Sequence, residues 1–283
     1  MVDNASTDDT IGMAQRHGAQ QVLPSPTNVG FGRGCNLGAR HASGDWLLFA
    51  NPDLVIESVP TLLPAHEGSS FGVTGGWLSE REGSYRPSLR AEPTLPEEIL
   101  AQLFNRLVPR GVSRLTPQRR RPARWASGAL LLCRRGEFLE VGGFDPRFFL
   151  YFEDRDLAAR YRRRGYPLQL DSGLRGRHGH GQSSASVQSW IQEAWSLVSW
   201  IEYRGIWHGS AAAKRTARLV LSTLSAVRRL EDRLQGDRAR KKAADVAHMV
   251  TFLQDLQQHL KDMPDFHPFA LAALNDLRAG PNG

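Results

Sequence analysis

The stretch "EVGGFDPRFFLYFEDRDLAARYRRRGY", residues 140–166, sets Asp145, Glu153, Asp154 and Asp156 around Phe148, Phe149 and Tyr151, then adds Arg160, Arg162, Arg163 and Arg164. Two adjacent acids cannot share one face of a helix or strand, so at most one of Glu153 and Asp154 enters a given pocket. Aromatic neighbours strip water from that acid and strengthen its hold on a proton, which suits a general base. The same order also describes an ordinary helix start, with acids in the first turn and arginines toward the far end, complementing the helix dipole. The two readings are compatible, because a helix start is a firm place to fix a catalytic carboxylate.

Other polar groups join this set. Asp53 follows the apolar run "DWLLFA" and the turn residues Asn51 and Pro52, so a buried strand delivers its carboxylate to the sheet edge. There it can hold a hard divalent cation together with phosphate oxygens and water, or it can simply complete an Asn-Pro-Asp turn. Asp3 falls at a similar strand end, where ligands of open α/β sheets bind. "RHGHGQSS" supplies His178 and His180, either a metal partner for Asp53 or a pair of exposed loop histidines. "NVGFGRGCNLG" (28–38) is glycine-rich and enters a helix, but it fits neither the dinucleotide fingerprint nor a Walker loop. It reads as a loop that lets backbone approach a nucleotide or its phosphates.

Elements that position these groups are visible in the patterning. "DWLLFA", "FGVTGGWL" and "SGALLLCRR" read as buried strands, while "IGMAQRHGA" and "GCNLGARHAS" read as helices ending in small residues. The alternation predicts a mostly parallel α/β sheet over residues 1–184. Residues 80–124, with several prolines and "PQRRRPAR", are expected to be a long insertion with few strands and a helix over 96–108. From 185 to 283 the chain is expected to be mainly helical. It opens with Trp190, Trp195, Trp200 and Trp207 and later places Val246, Met249, Val250, Leu253, Leu256 and Leu260 on one helix face. The tryptophans serve either core packing or a peripheral position at an anionic membrane leaflet.

Composition narrows the class. The hydrophobic fraction of 41% suffices for a buried core, and the formal charge of +7 favours an anionic partner. The arginines are scattered without a recognition motif, which argues against nucleic acid. Cys35 and Cys133 have neither metal-site nor redox spacing, so a reducing, cytoplasmic setting is expected. No run of 18 apolar residues predicts a membrane-spanning helix.

In order, "VDNASTDDT", "NVGFGRGCNLGARHASGDWLLFANPD", "WASGALLLCRRGEFLEVGGFDPRFFLYFEDRDLAARYRRRGY" and "HGHGQS" resemble the family 2 glycosyltransferases, specifically their rhamnosyltransferase-like bacterial branch. The resemblance implies a GT-A fold, a Rossmann-like mixed sheet that binds a nucleotide-diphosphate sugar, usually of thymidine or uridine. It implies inverting transfer of a hexose, rhamnose for this branch, to a lipid-linked or cell-envelope glycan acceptor at the inner face of the cell membrane. By the same resemblance, Asp3, Asn28, Gly30 and Asn36 would shape the nucleotide pocket. Asn51 and Asp53 would stand at the DxD position, with Asp53 and His178 binding Mg²⁺ or Mn²⁺. Asp154 would be the general base, with Glu153 the second choice, and Trp125, Gly128 and Asp156 would line the acceptor side.

Two departures accompany it. Asn51 is a neutral oxygen ligand at the first DxD position, so metal binding should lean on donor phosphates. The family pattern also sets a strand and a helix ahead of "VDNAS", where Met1 stands here. A start further upstream is therefore expected, with a non-catalytic remnant that binds nucleotide or partners as the competing reading.

Overall fold

The computed structural model describes residues 1–60, 70–79, 84–99, 121–178, 189–231 and 251. The chain divides into two compact units, Met1–Asp145 with Glu153–Ser183, and Pro146–Phe152 with the chain from Ser184 onward.

The first unit begins with β1 (Val2–Asp3), α1 (Thr10–Arg16), β2 (Leu23–Pro24), α2 (Phe31–His41), β3 (Trp46–Ala50) and β4 (Leu54–Ser58). It continues with β5 (Val73–Ser79), β6 (Tyr85–Pro87) and β7 (Leu89–Ala91), then α3, whose described residues are 95–99. The series closes with β8 (Ala123–Ala126), β9 (Leu130–Arg134), α4 (Arg135–Glu140), α5 (Glu153–Arg163) and β10 (Leu168–His178). The main sheet has the order β3-β9-β5-β10-β4, with β6 added to β5, while β1–β2 and β7–β8 pair separately.

The expectation of a mostly parallel sheet is corrected. Among the described residues of the main sheet only β5 and β10 pair in parallel, and the β3–β9, β5–β9, β5–β6 and β4–β10 pairs are antiparallel. Strand–helix alternation suggests parallel neighbours only when successive strands lie side by side. Here β9, late in the chain, inserts between β3 and β5 and runs against both. The stretch 80–124 also holds more strand than its composition suggests, since β6 and β7 lie within it and β8 closes it. Of the helix expected over 96–108, residues up to 99 are helical and the remainder lies outside the described residues. Its start is fixed by Thr94, whose backbone N–H donates to Glu97 Oε2 at 2.8 Å, half of a capping box.

Strand β9 reads as a continuous apolar run because it is covered on both faces. Leu131 and Cys133 pack with Phe49, Phe138, Phe144, Leu157 and Tyr161 on one side. Leu130 and Leu132 pack with Leu174 on the other. Helix α2 starts at Phe31, earlier than its pattern suggests, and tolerates several glycines because they allow close approach. A Cβ on Gly32 would stand 2.9 Å from Phe144 Cβ.

In the second unit, α6 (Ser189–His208) and α7 (Ser210–Glu231) are joined at Gly209, whose φ is 86°. Ile201 packs with Ala213 and Ala217, while Lys214, Arg215 and Arg218 lie exposed on the opposite side of α7. Trp195 and Trp200 are buried, so these two are packing residues rather than a surface for a bilayer. Among the described residues, no helix is long and apolar enough to cross a membrane. The apolar face expected over 246–260 lies outside them, Thr251 excepted.

Candidate active site

Helix α5 begins at Glu153, so the acid pair opens its first turn. The two carboxylates diverge, as adjacent positions require. Glu153 is 6% exposed, its Cβ stands near Gly32 of α2, and its Oε2 has no hydrogen-bond partner. Burial first, and the charge of Asp154 second, push its carboxyl up to about 8. Asp154 is half-buried, and its Oδ2 accepts the backbone N–H of Gly128 at 3.1 Å. Burial raises its proton affinity, opposed by that N–H and by the Arg155 guanidinium. Both carboxyls thus hold a proton more tightly than in water, and Asp154 is the more accessible of the two.

The turn after β3 is tied to the same place. Asn51 donates its backbone N–H to the Ala129 carbonyl at 3.0 Å, and Leu54 donates to the Asn51 carbonyl at 3.0 Å. The segment 127–129 therefore links the Asp53 turn to Asp154. Phe31, first residue of α2, comes close as well, since a Cβ on Gly128 would lie 3.3 Å from its ring. Strand β10 ends at His178, paired in register with Leu54, so the backbones carrying Asp53 and His178 are neighbours.

Asp3, Asn28 and Gly30 form a second cluster around a residue not singled out in the sequence, Asn4. Asn4 Nδ2 donates to Asn28 Oδ1 at 3.0 Å and to the Gly30 carbonyl at 3.2 Å, and its Oδ1 accepts the Val29 N–H at 2.8 Å. Asn28 Oδ1 also accepts the Gly30 N–H at 2.9 Å, fixing the entry to α2. Asp3 is buried, with Oδ2 accepting the Ser6 N–H at 3.2 Å and Oδ1 without a partner. Position beside a strand-end aspartate was the one sequence signal for Asn4.

Other expected site residues are engaged elsewhere. Asn36 donates to the Phe144 carbonyl at 2.7 Å and accepts the Phe144 N–H at 2.8 Å, clamping α2 to the Gly-Gly-Phe turn. Asp156 is 1% exposed and pairs with Arg160 at 2.7 Å, leaving no open surface from which to meet an acceptor. Adjacent acids at a helix start divide by face, and Asp156 falls on the core face. Trp125 is half-buried under the Arg155 guanidinium, 4.8 Å from its ring centroid. Arg155 also pairs with Glu98 at 3.0 Å, a contact from α3 that the patterning did not reveal.

As to a metal, among the described residues no group of three or more His, Cys, Asp or Glu side chains is gathered to hold an ion. Asp53, at the turn after β3, is the kind of ligand that suits an ion taking most of its other ligands from phosphate and water, as Mg²⁺ does.

Residues 1–125 match the family model described as glycosyl transferase family 2. Over those residues, which make up less than half of the chain, it is similar to that family. It is 35% identical over 188 residues to an N-acetylglucosaminyl-diphospho-decaprenol L-rhamnosyltransferase of Mycobacterium tuberculosis, covering 59% of this chain and 61% of that protein. It is 26% identical over 142 residues to the rhamnosyltransferase WbbL of Escherichia coli, covering 46% and 53%. The chain thus spans about three-fifths, or less, of the length of these relatives. A solved mannosyltransferase, PcManGT of Pyrobaculum calidifontis with GDP-Man and Mn²⁺, aligns with a TM-score of 0.43 at 14% identity, over 100% of this chain and 77% of that one.

Proposed function

We propose that the protein transfers a hexose, L-rhamnose, from a nucleoside-diphosphate sugar to a polyprenol-diphosphate-linked N-acetylglucosamine, with inversion at the anomeric carbon. The observation that carries this is Asp154, a half-buried carboxylate held by Gly128 beside the Asp53 turn. The family match and the named specificity of the mycobacterial relative supply the substrate class.

A single displacement needs a base on one side of the sugar carbon and a stabilised diphosphate leaving on the other. Asp154 takes the proton of the acceptor hydroxyl as its oxygen bonds to the anomeric carbon. The bond from that carbon to the diphosphate oxygen breaks, and the nucleoside diphosphate departs with the electron pair. The raised proton affinity of Asp154 brings it nearer the working pH of a general base. Asp53, with His178 at the end of the strand that pairs with Leu54, would hold Mg²⁺ or Mn²⁺ on the donor. A bound divalent ion supplies charge neutralisation at the diphosphate. The Asn4–Asn28–Gly30 cluster and Asp3 present backbone and amide groups to the nucleotide. Trp125 and Gly128 face the acceptor side.

The test is incubation of the protein with dTDP-L-rhamnose, Mg²⁺ and N-acetylglucosaminyl-diphospho-polyprenol. The expected product gains one deoxyhexose by mass, with release of dTDP. Binding of dTDP-L-rhamnose without any product would contradict the proposal.

A further inference from the structure

Tyr151 and Phe152, immediately before the acid pair, have φ of 70° and 66°. Two consecutive bulky residues in the left-handed region are rare, and such geometry persists only where surroundings impose it. What surrounds this segment within its own unit is helix α6. Ser199 Oγ donates to the Leu150 carbonyl at 2.8 Å. Phe149 packs on Trp195 with ring centroids 4.9 Å apart, and Phe152 packs on Tyr203 at 5.6 Å. Arg147 meets Glu202 at 3.5 Å. Trp195, Ser199 and Tyr203 recur every four residues, so a single stripe of α6 grips three residues of the segment, Phe149, Leu150 and Phe152. All three are buried.

We infer that α6 is a positioning element for catalysis: Ser199, with Trp195 and Tyr203, locks the backbone of 149–152 and so fixes where the next residues, Glu153 and Asp154, begin their helix. The inference rests on Asp154 being the general base. It gives the helical unit a part in the reaction that neither the family match over 1–125 nor the named relatives assign to it. Ser199 touches no substrate in this account and acts through Asp154.

The experiment is a double-mutant cycle on the full chain with Ser199→Ala and Asp154→Asn, using dTDP-L-rhamnose and N-acetylglucosaminyl-diphospho-polyprenol as probes. It is accompanied by hydrogen exchange at the amides of 151–155. Ser199→Ala should speed exchange there and lower kcat about tenfold, with the Kd for dTDP-L-rhamnose unchanged. In the Asp154→Asn background the same change should lower the residual rate by less than twofold, because residues acting through one group are not additive. Ser199→Thr, which keeps the hydroxyl, should restore most of kcat. Unchanged exchange in Ser199→Ala, or an equal loss of kcat in both backgrounds, would overturn the inference. Asp154→Asn turning over like the wild type would remove the base assignment, and the positioning role with it. An inactive Asp154→Asn beside a fully active Ser199→Ala would overturn the positioning role alone.

Discussion

Replacing Glu153 by Gln should change how stability depends on pH. Glu153 is buried beside Asp154, and its folded-state value of about 8 lies above the ordinary glutamate value of 4.5. The native state therefore holds the proton more tightly than the unfolded chain does. Stability from this group is fully present below pH 4.5 and is lost as pH rises toward 8. Each pH decade between the two values removes about 1.4 kcal/mol. A move from pH 5 to pH 8 should then withdraw on the order of 3 kcal/mol. At roughly 2–4 °C per kcal/mol, that is a fall in Tm of about 10 °C. The amide of the Glu153→Gln variant cannot titrate, so that protein should lack this slope. Any constant cost of the amide in a site where Oε2 has no partner cancels, since only the difference between the two pH values is compared. Thermal unfolding of both proteins at pH 5, 6, 7 and 8 reads the difference directly. Parallel Tm curves would show that Glu153 ionises in the fold as it does in the unfolded chain, and would refute the reasoning.

Two further substitutions probe the frame of the site. Asn36→Ala removes both hydrogen bonds to the Phe144 backbone and should cost about 1–3 kcal/mol in denaturant unfolding, with the m-value unchanged. Gly143→Ala should cost roughly 2–4 kcal/mol, because φ is 67° there and a Cβ would strike Asn36 Oδ1. Wild-type stability in Gly143→Ala would show that the turn can rearrange.

The sequence showed strands β3, β5 and β9 because each is a short apolar run bounded by glycine or turn residues. It showed α2 and α5 through their patterning and flanking residues. Sheet direction was not legible, since the insertion of β9 between β3 and β5 depends on contacts far apart in the chain. Asp154 and Gly128 were both nominated from motifs, but the 3.1 Å hydrogen bond joining them is a tertiary fact. Asn36 and Asp156 illustrate the converse. The resemblance placed them among the site candidates, and in the fold one bonds the Phe144 backbone and the other pairs with Arg160. Nor could spacing alone show that Trp195, Ser199 and Tyr203 would grip the segment ahead of Glu153.

The central claim, that Asp154 is the base of a sugar transfer, is tested most directly by comparing Asp154→Asn with the wild type. The comparison measures rhamnosyl transfer and, by calorimetry, the binding of dTDP-L-rhamnose with Mg²⁺. The account predicts a loss of about 10²–10⁴ in kcat with donor affinity unchanged. Transfer by Asp154→Asn at the wild-type rate would contradict it.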